Sequence, residues 1–244
     1  MEAKTVPQAE TLVDPSKTRE VGDSLPPLEN GDHLTREEFE RRFDAMPLLK
    51  KAELLEGIVF MGSPVRLERH GFPHIQVSTW VGNYLAHTPG AIAGDNTSVR
   101  IDDESMPQPD VCMIIKPTHG GQATISENDY IEGGPELIVE VSASTVSIDL
   151  HTKLRIYRRN NVREYVVWRV LDRAVDWFAL RNGEYVRLPI GEDGIYRSEV
   201  FPGLWLDPNT LFENNLERML EVIGQGLASP EHAEFVARLN PTAG

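Results

Sequence analysis

The sequence predicts a single mixed α/β domain within its 244 residues. Three observations carry that expectation. Apolar residues recur at the 3.6-residue period of helices in some segments and alternate at the 2-residue period of strands in others. The two kinds of segment are interleaved along the chain rather than sorted into blocks. The composition, 40% hydrophobic and 25% charged, is that of an ordinary globular chain, long enough to bury a core without disulfide or metal staples.

The elements follow in order. Residues 1–30 hold four prolines, Pro7, Pro15, Pro26 and Pro27, and no periodic apolar face, so they read as an acidic, disordered tail. In "HLTREEFERRF", Thr35 and Glu38 have the spacing of a capping box, and Phe39 and Phe43 share one face of a short helix. "AELLEGIVFMGSP" reads as a strand, or as a hairpin pivoting near Gly57. "HGFPHIQVSTWVGNYLAH" is a helix with Pro73 in its first turn. "GAIAGDNTSVRID" supplies a strand region. "PQPDVCMII" supplies a strand beginning near Asp110, because Pro109 cannot donate to a ladder. A loop is expected from Lys116 to Gly134, then the strand "PELIVEVS" and a helix over Ser147–Arg159 with Leu150, Leu154 and Tyr157 as its apolar stripe. Three strands follow, with turns at Leu171–Arg173 and Arg181–Gly183. Two helices close the chain, the last capped by Ser229 ahead of Pro230. The main domain is expected over 31–212, with 213–244 as a helical extension.

Composition bounds the function. The single cysteine, Cys112, excludes an intramolecular disulfide and CxxC zinc pairs, and fits a reducing cytoplasm. No run approaches the roughly 18 apolar residues of a membrane helix, and the first residues have no apolar signal core. A net charge of −14 argues against a general nucleic-acid coat protein, though not against an enzyme that meets DNA at one basic patch through a bridging metal. The run "KLRIYRRNNVR", with Lys153, Arg155, Arg158, Arg159 and Arg163, is a candidate phosphate-contact surface. The plain alternative is a solvated face that offsets acidic neighbours.

One strand carries the chemistry. In "LIVEVS", Leu137, Val139 and Val141 face one side and Ile138, Glu140 and Ser142 the other. A carboxylate buried there must be paired, protonated or bound to a cation. The plain alternative is a structural salt bridge. Asp110 opens a second apolar strand, and Lys153 lies on the following helix beside Asp149 at i−4 and Tyr157 at i+4. Two strand acids and a nearby lysine are the parts of a magnesium phosphodiesterase, since hard divalent cations take carboxylate oxygens and a lysine can orient water or offset transition-state charge.

Five ordered segments, "AELLEGIVF", "ERHGFPH", "QPDVCMI", "PELIVEVSAST" and "DLHTKLRIYRRNNVREYVVW", extend this reading. With them the chain, from about Leu34 to Leu211, resembles the Uma-two group of restriction endonucleases in the PD-(D/E)XK nuclease superfamily. The resemblance implies a restriction endonuclease-like mixed β-sheet core flanked by helices, with additional C-terminal strands and helices. It implies an endonuclease that uses Mg²⁺ or Mn²⁺ to hydrolyse DNA, leaving a 5′-phosphate and a 3′-hydroxyl. Asp110 and Glu140 would bind metal, with Glu53 as a further ligand, Glu56 as the other option, and the Val141 carbonyl beside them. Ser142 stands where the superfamily pattern has its strand lysine, and Lys153 is the relocated replacement that would position the attacking water. His70 is carried over as a catalytic-site residue, against a helix-cap or packing role. His70 and His74 have a zinc-pair spacing, but Gly71 and Pro73 argue against the regular helix it needs. Gln108 either orients substrate or packs. The resemblance also raises a homodimer paired through the β-rich segment after Tyr165. Two rival readings stand beside the nuclease: a catalytically inactive interaction protein on the same fold, and a metal-dependent hydrolase of a small phosphorylated substrate.

Overall fold

A computed structural model describes residues 25–62 and 65–240. The tail expected over 1–30 lies mostly outside the described residues. Leu28, within its described end, is buried in a cluster with Phe39 and Leu54.

Helix α1 (Arg36–Asp44) begins where Thr35 Oγ1 accepts from the Glu38 amide. Only half of the expected capping box forms, because the Glu38 carboxylate pairs with Arg41 and Arg42 instead of turning back to Thr35. The hairpin alternative holds for the next segment. Strands β1 (Ala52–Leu55) and β2 (Ile58–Met61) pair antiparallel through a turn at Glu56 and Gly57, both at positive φ. A π-helical turn, Leu67–Gly71, leads into helix α2 (Phe72–Ala86). The backbone is therefore helical from His70 through His74, contrary to the break expected from Gly71 and Pro73. Proline in a first turn costs no hydrogen bond, so it does not interrupt the helix there.

The expected strand region after α2 divides into β3 (Ala91–Asp95) and β4 (Val99–Arg100). Strand β5 (Val111–Ile115) starts just after Asp110. The expected loop from Lys116 to Gly134 contains two short strands, β6 (Thr124–Ile125) and β7 (Ile131–Glu132), which form a small sheet with β4. Then come β8 (Leu137–Ser142), a π-helical turn at Ile148–Lys153, and helix α3 (Leu154–Arg159). Strands β9 (Glu164–Arg169), β10 (Ala174–Arg181) and β11 (Glu184–Arg187) follow. Asn182 and Gly183, both at positive φ, make the tight turn between the last two. A small pair, β12 (Tyr196–Arg197) and β13 (Trp205–Leu206), precedes three helices rather than two: a short α4 (Pro208–Phe212), α5 (Leu216–Leu227) and α6 (Pro230–Leu239). Ser229 caps α6 as expected.

The central sheet has six strands in the order β11-β10-β9-β8-β5-β3. Within this sheet, among the described residues, β8 and β9 are the one parallel pair. They need a crossover connection, and α3 with its preceding turn supplies it. The alternation in β8 sorts the two faces. Leu137, Val139 and Val141 enter a large core with α2, α5 and α6, while Ile138 enters a second core with Ile156 and Tyr157 of α3. The hairpin β1–β2 lies against the second layer through Leu55. Glu140 therefore meets Tyr157 of α3 rather than the large core, while Asp110 meets Lys51 and His70.

Candidate active site

Asp110 and Glu140 are brought together by strand register. Val111 pairs with Val139 across β5 and β8, so one antiparallel step further sets Asp110 opposite Glu140 on the same face. Both are almost fully buried, at 3% and 4% exposure. Lys153 arrives from the crossover helix, with its Nζ 2.9 Å from Glu140 Oε1 and 2.8 Å from Glu53 Oε1. Asp149, one turn earlier on the same helix, stands 3.9 Å from that amine. Tyr157, expected only as part of an apolar stripe, donates its hydroxyl to Glu140 Oε1 at 2.9 Å.

Glu53, not Glu56, faces this cluster. Strand alternation puts Lys51, Glu53 and Leu55 on one side of β1, and the Gln108 amide donates to Glu53 Oε1 at 2.8 Å. Glu56 turns outward at the tip of the hairpin and pairs with Arg155 and Arg159. Gln108 thus contributes its backbone to the cluster, while its side chain donates to the Asn96 carbonyl.

Asp110 is held by one hydrogen bond and two ion-pair contacts. The Val141 amide donates to its Oδ2 at 2.8 Å, and Lys51 Nζ and His70 Nε2 lie 3.6 and 3.3 Å from its Oδ1. Burial would raise its pKa, but the His70 contact, the Lys51 charge and the Val141 amide hold it down at about 2. His70 Nδ1 donates to the Val141 carbonyl at 3.0 Å, so its Nε2 faces a carboxylate as a second donor. The Asp110 carboxylate accordingly raises the His70 pKa, against the effect of burial. His70 is neither a helix cap nor half of a zinc pair. Its ring stacks on His74, whose Nε2 turns to Asp95 and to the Asp110 carbonyl.

The second acid behaves oppositely. Burial, joined by the charges of Asp149, Asp110 and Glu53, pushes Glu140 up to about 8 although the Lys153 ammonium works against it. Burial opposes the charge on Lys153 as well, yet Glu140, Glu53 and Asp149 raise its pKa well above the ordinary value, so the amine is cationic. Of the two strand acids, Asp110 is therefore firmly ionised and Glu140 is poised to take or release a proton.

These groups line a cavity of about 700 Å³. Its charged lining is balanced: Lys51, Arg66, Arg69 and Lys153 stand against Glu53, Asp110, Glu140 and Asp149. The local balance contrasts with the net −14 of the chain. Of the basic run expected to contact phosphate, only Lys153 lines this cavity. Arg155 and Arg159 pair with Glu56, Arg159 also with Asp102, and Arg158 with Glu184, so this run offsets acidic neighbours. Lys51 and the two rim arginines escaped the sequence reading. The signal for Lys51 was present, since it precedes Glu53 by two positions on a strand.

Among the described residues, no group of three or more His, Cys, Asp or Glu side chains is arranged to hold a metal ion by itself. The donor chemistry nevertheless fits Mg²⁺, which is commonly bound by one or two carboxylates, keeps several waters and takes its remaining oxygens from a phosphate. Asp110 and Glu140 are the two carboxylates in question. Glu53 is held by Lys153 and the Gln108 amide.

A mixed sheet with two acids at the ends of adjacent central strands and a lysine against them defines a protein of the restriction endonuclease type. The family model described as Uma2, "Putative restriction endonuclease", matches residues 36–209, and the chain belongs to that family. Among solved structures, the fold is similar to that of a "putative nuclease belonging to DUF820" from Anabaena variabilis ATCC 29413, at 12% identity and a TM-score of 0.51 over 70% of this chain and 96% of that one. No curated protein matches the chain.

Proposed function

We propose that this protein is a Mg²⁺-dependent endonuclease that hydrolyses DNA phosphodiester bonds, with Mn²⁺ able to replace Mg²⁺. The observation that supports it most is the placement of Asp110 beside Glu140, on one face of the sheet, with Lys153 2.9 Å from the second acid and a cavity in front of them. Asp110 and Glu140 would hold the metal, which when bound polarises the phosphate and makes water a better nucleophile. Lys153 has three N–H donors, of which Glu53 and Glu140 take two. The third is available to orient the attacking water or to meet charge that develops on the phosphate oxygens. Glu53 and Asp149 keep the amine protonated and in place. His70 and Lys51 keep Asp110 ionised, and Tyr157 fixes the Glu140 carboxyl. Water attacks phosphorus, the bond to the 3′-oxygen breaks, and the products carry a 5′-phosphate and a 3′-hydroxyl.

The test is cleavage of plasmid and of single-stranded circular DNA with Mg²⁺ or Mn²⁺. Activity is expected in the wild type and absent in Asp110→Asn and Glu140→Gln, with folding checked by circular dichroism. Cleavage that survives both substitutions sinks the assignment.

One observation favours a second reading. Lys153 already pairs with both Glu53 and Glu140, as in a closed structural network. A non-catalytic interaction protein would show no Asp110-dependent heat of Mn²⁺ binding in calorimetry.

A further inference from the structure

The lining of the cavity in front of the acids also includes apolar side chains, of which Phe60 and Ile148 rest on the second core. Phe60 lies directly across the β1–β2 hairpin from Glu53, on the same face. Val65, Ile148 and Leu171 also line the space. Val65 and Leu171 are 65% and 60% exposed, too open to be explained as core. At the rim, Arg66 and Arg69 are exposed and form no ion pair with any described residue, unlike Arg155, Arg158 and Arg159.

These features set a requirement on the substrate. Asp110, Glu140 and Lys153 are each no more than 4% exposed, so a phosphate reaches them only by entering the cavity. A base-paired duplex is stiff and carries its phosphates on the outside, with its bases turned inward. It meets the mouth and leaves the apolar wall without a partner. An unpaired nucleotide brings both parts at once, a phosphate for the acid end and a flat base for the wall, and rim arginines can hold the flanking backbone.

Resting on the nuclease reading above, we propose that the site takes a strand of DNA in an unpaired state, with one nucleotide seated in the cavity between the acid cluster and the Phe60–Leu171 wall, and with Arg66 and Arg69 holding the phosphates on either side. Single-stranded DNA, or a loop or gap in a duplex, is the substrate class. Perfect duplex is not. The free cations that grip the backbone are the rim pair, not the run on α3.

The experiment compares three oligonucleotides of one sequence: single-stranded, fully duplex, and duplex with a short unpaired loop. Cleavage with Mn²⁺ and binding without divalent metal, read by fluorescence anisotropy, are measured on the full chain. The single strand and the loop are expected to be cut at least about tenfold faster than the duplex. The double variant Arg66→Ala/Arg69→Ala is expected to raise KM for the single strand about tenfold with kcat little changed, and Phe60→Ala to weaken single-strand binding by a similar factor. Equal cleavage of duplex and single strand overturns this proposal and leaves the nuclease reading intact. Arginine-dependent preference for the single strand in binding, with no cleavage of any substrate, supports the unpaired-strand site and overturns the nuclease reading. Competition by a free mononucleotide as strong as that by the strand overturns the proposal in favour of a small phosphorylated substrate.

Discussion

Lys153 closes a buried ion pair with Glu140 at 2.9 Å, joining the crossover helix to the strand thirteen positions earlier. The same amine ties down Glu53 at 2.8 Å, so one cation spans the hairpin, the central sheet and the helix. Replacement by methionine leaves two facing carboxyls without their counter-charge. Lys153→Met is expected to lower stability by about 3 kcal/mol, as for other buried pairs that lose one partner. Restoring charge balance with Glu140→Gln in the same chain should return part of that loss. Urea unfolding of the single and double variants checks both statements.

Asp110 and His70 make a second testable pair. The carboxylate raises the His70 pKa above its ordinary value of 6.5, and Asp110→Asn should bring it back toward that value. The linkage has a definite sign. A raised histidine stabilises the fold fully below its unfolded pKa, and that stabilisation fades as pH rises through the higher folded value. The Asp110→Asn variant should therefore lose stability relative to wild type mainly on the acid side of neutrality. NMR titration of the histidine ring protons, alongside denaturation at several pH values, measures both effects.

Metal affinity should depend on pH through Glu140. Burial raises its pKa to about 8 while the Lys153 ammonium works against that rise, so a proton competes with a divalent ion for this carboxylate around neutral pH. Affinity for Mn²⁺ is expected to climb by up to about tenfold per pH unit below that value and to level off above it. Calorimetry in buffers of different ionisation heat should register net proton release on Mn²⁺ binding near pH 7, smaller in Glu140→Gln. Affinity and proton release both unchanged in Glu140→Gln would remove Glu140 from the ligand set.

Glu164 gives a prediction away from the site. It is fully buried at the start of β9 and accepts from the Ser198 hydroxyl and the Glu199 amide. Burial raises its pKa to about 7 despite those donors. The folded state thus holds a proton that the unfolded chain releases near 4.5, and stability falls as pH rises between those values. The change is on the order of 3 kcal/mol. Glu164→Gln should flatten this part of the profile in thermal or urea unfolding between pH 4 and pH 8.

Much of this was legible in the chain. The 2-residue alternation in "LIVEVS" assigned opposite faces to Val139 and Glu140, and the two cores confirm that division. The i,i+4 spacing placed Asp149 beside Lys153, and Pro109 marked where β5 starts. Local rules reach such features because they depend only on near neighbours in sequence. They left two readings open for the basic run on α3, whose arginines face acids as much as 103 positions away, at Glu56. They favoured Glu53 over Glu56 without excluding the latter, because both lie in one hairpin and only its docking decides which one faces inward.

The sequence by itself determined the alternation of strands and helices, the inward face of each, and the acids, lysine and histidine available for chemistry. Tertiary structure alone decided that Asp110 and Glu140 stand opposite each other, that Lys153 reaches back to Glu140 and Glu53, and that Arg66, Arg69 and Phe60 frame the same cavity. The reason is physical. Periodicity is written in each segment's own backbone geometry. Strand register across a sheet, and the docking of a hairpin on a crossover helix, are set by burial summed over residues far apart in the chain.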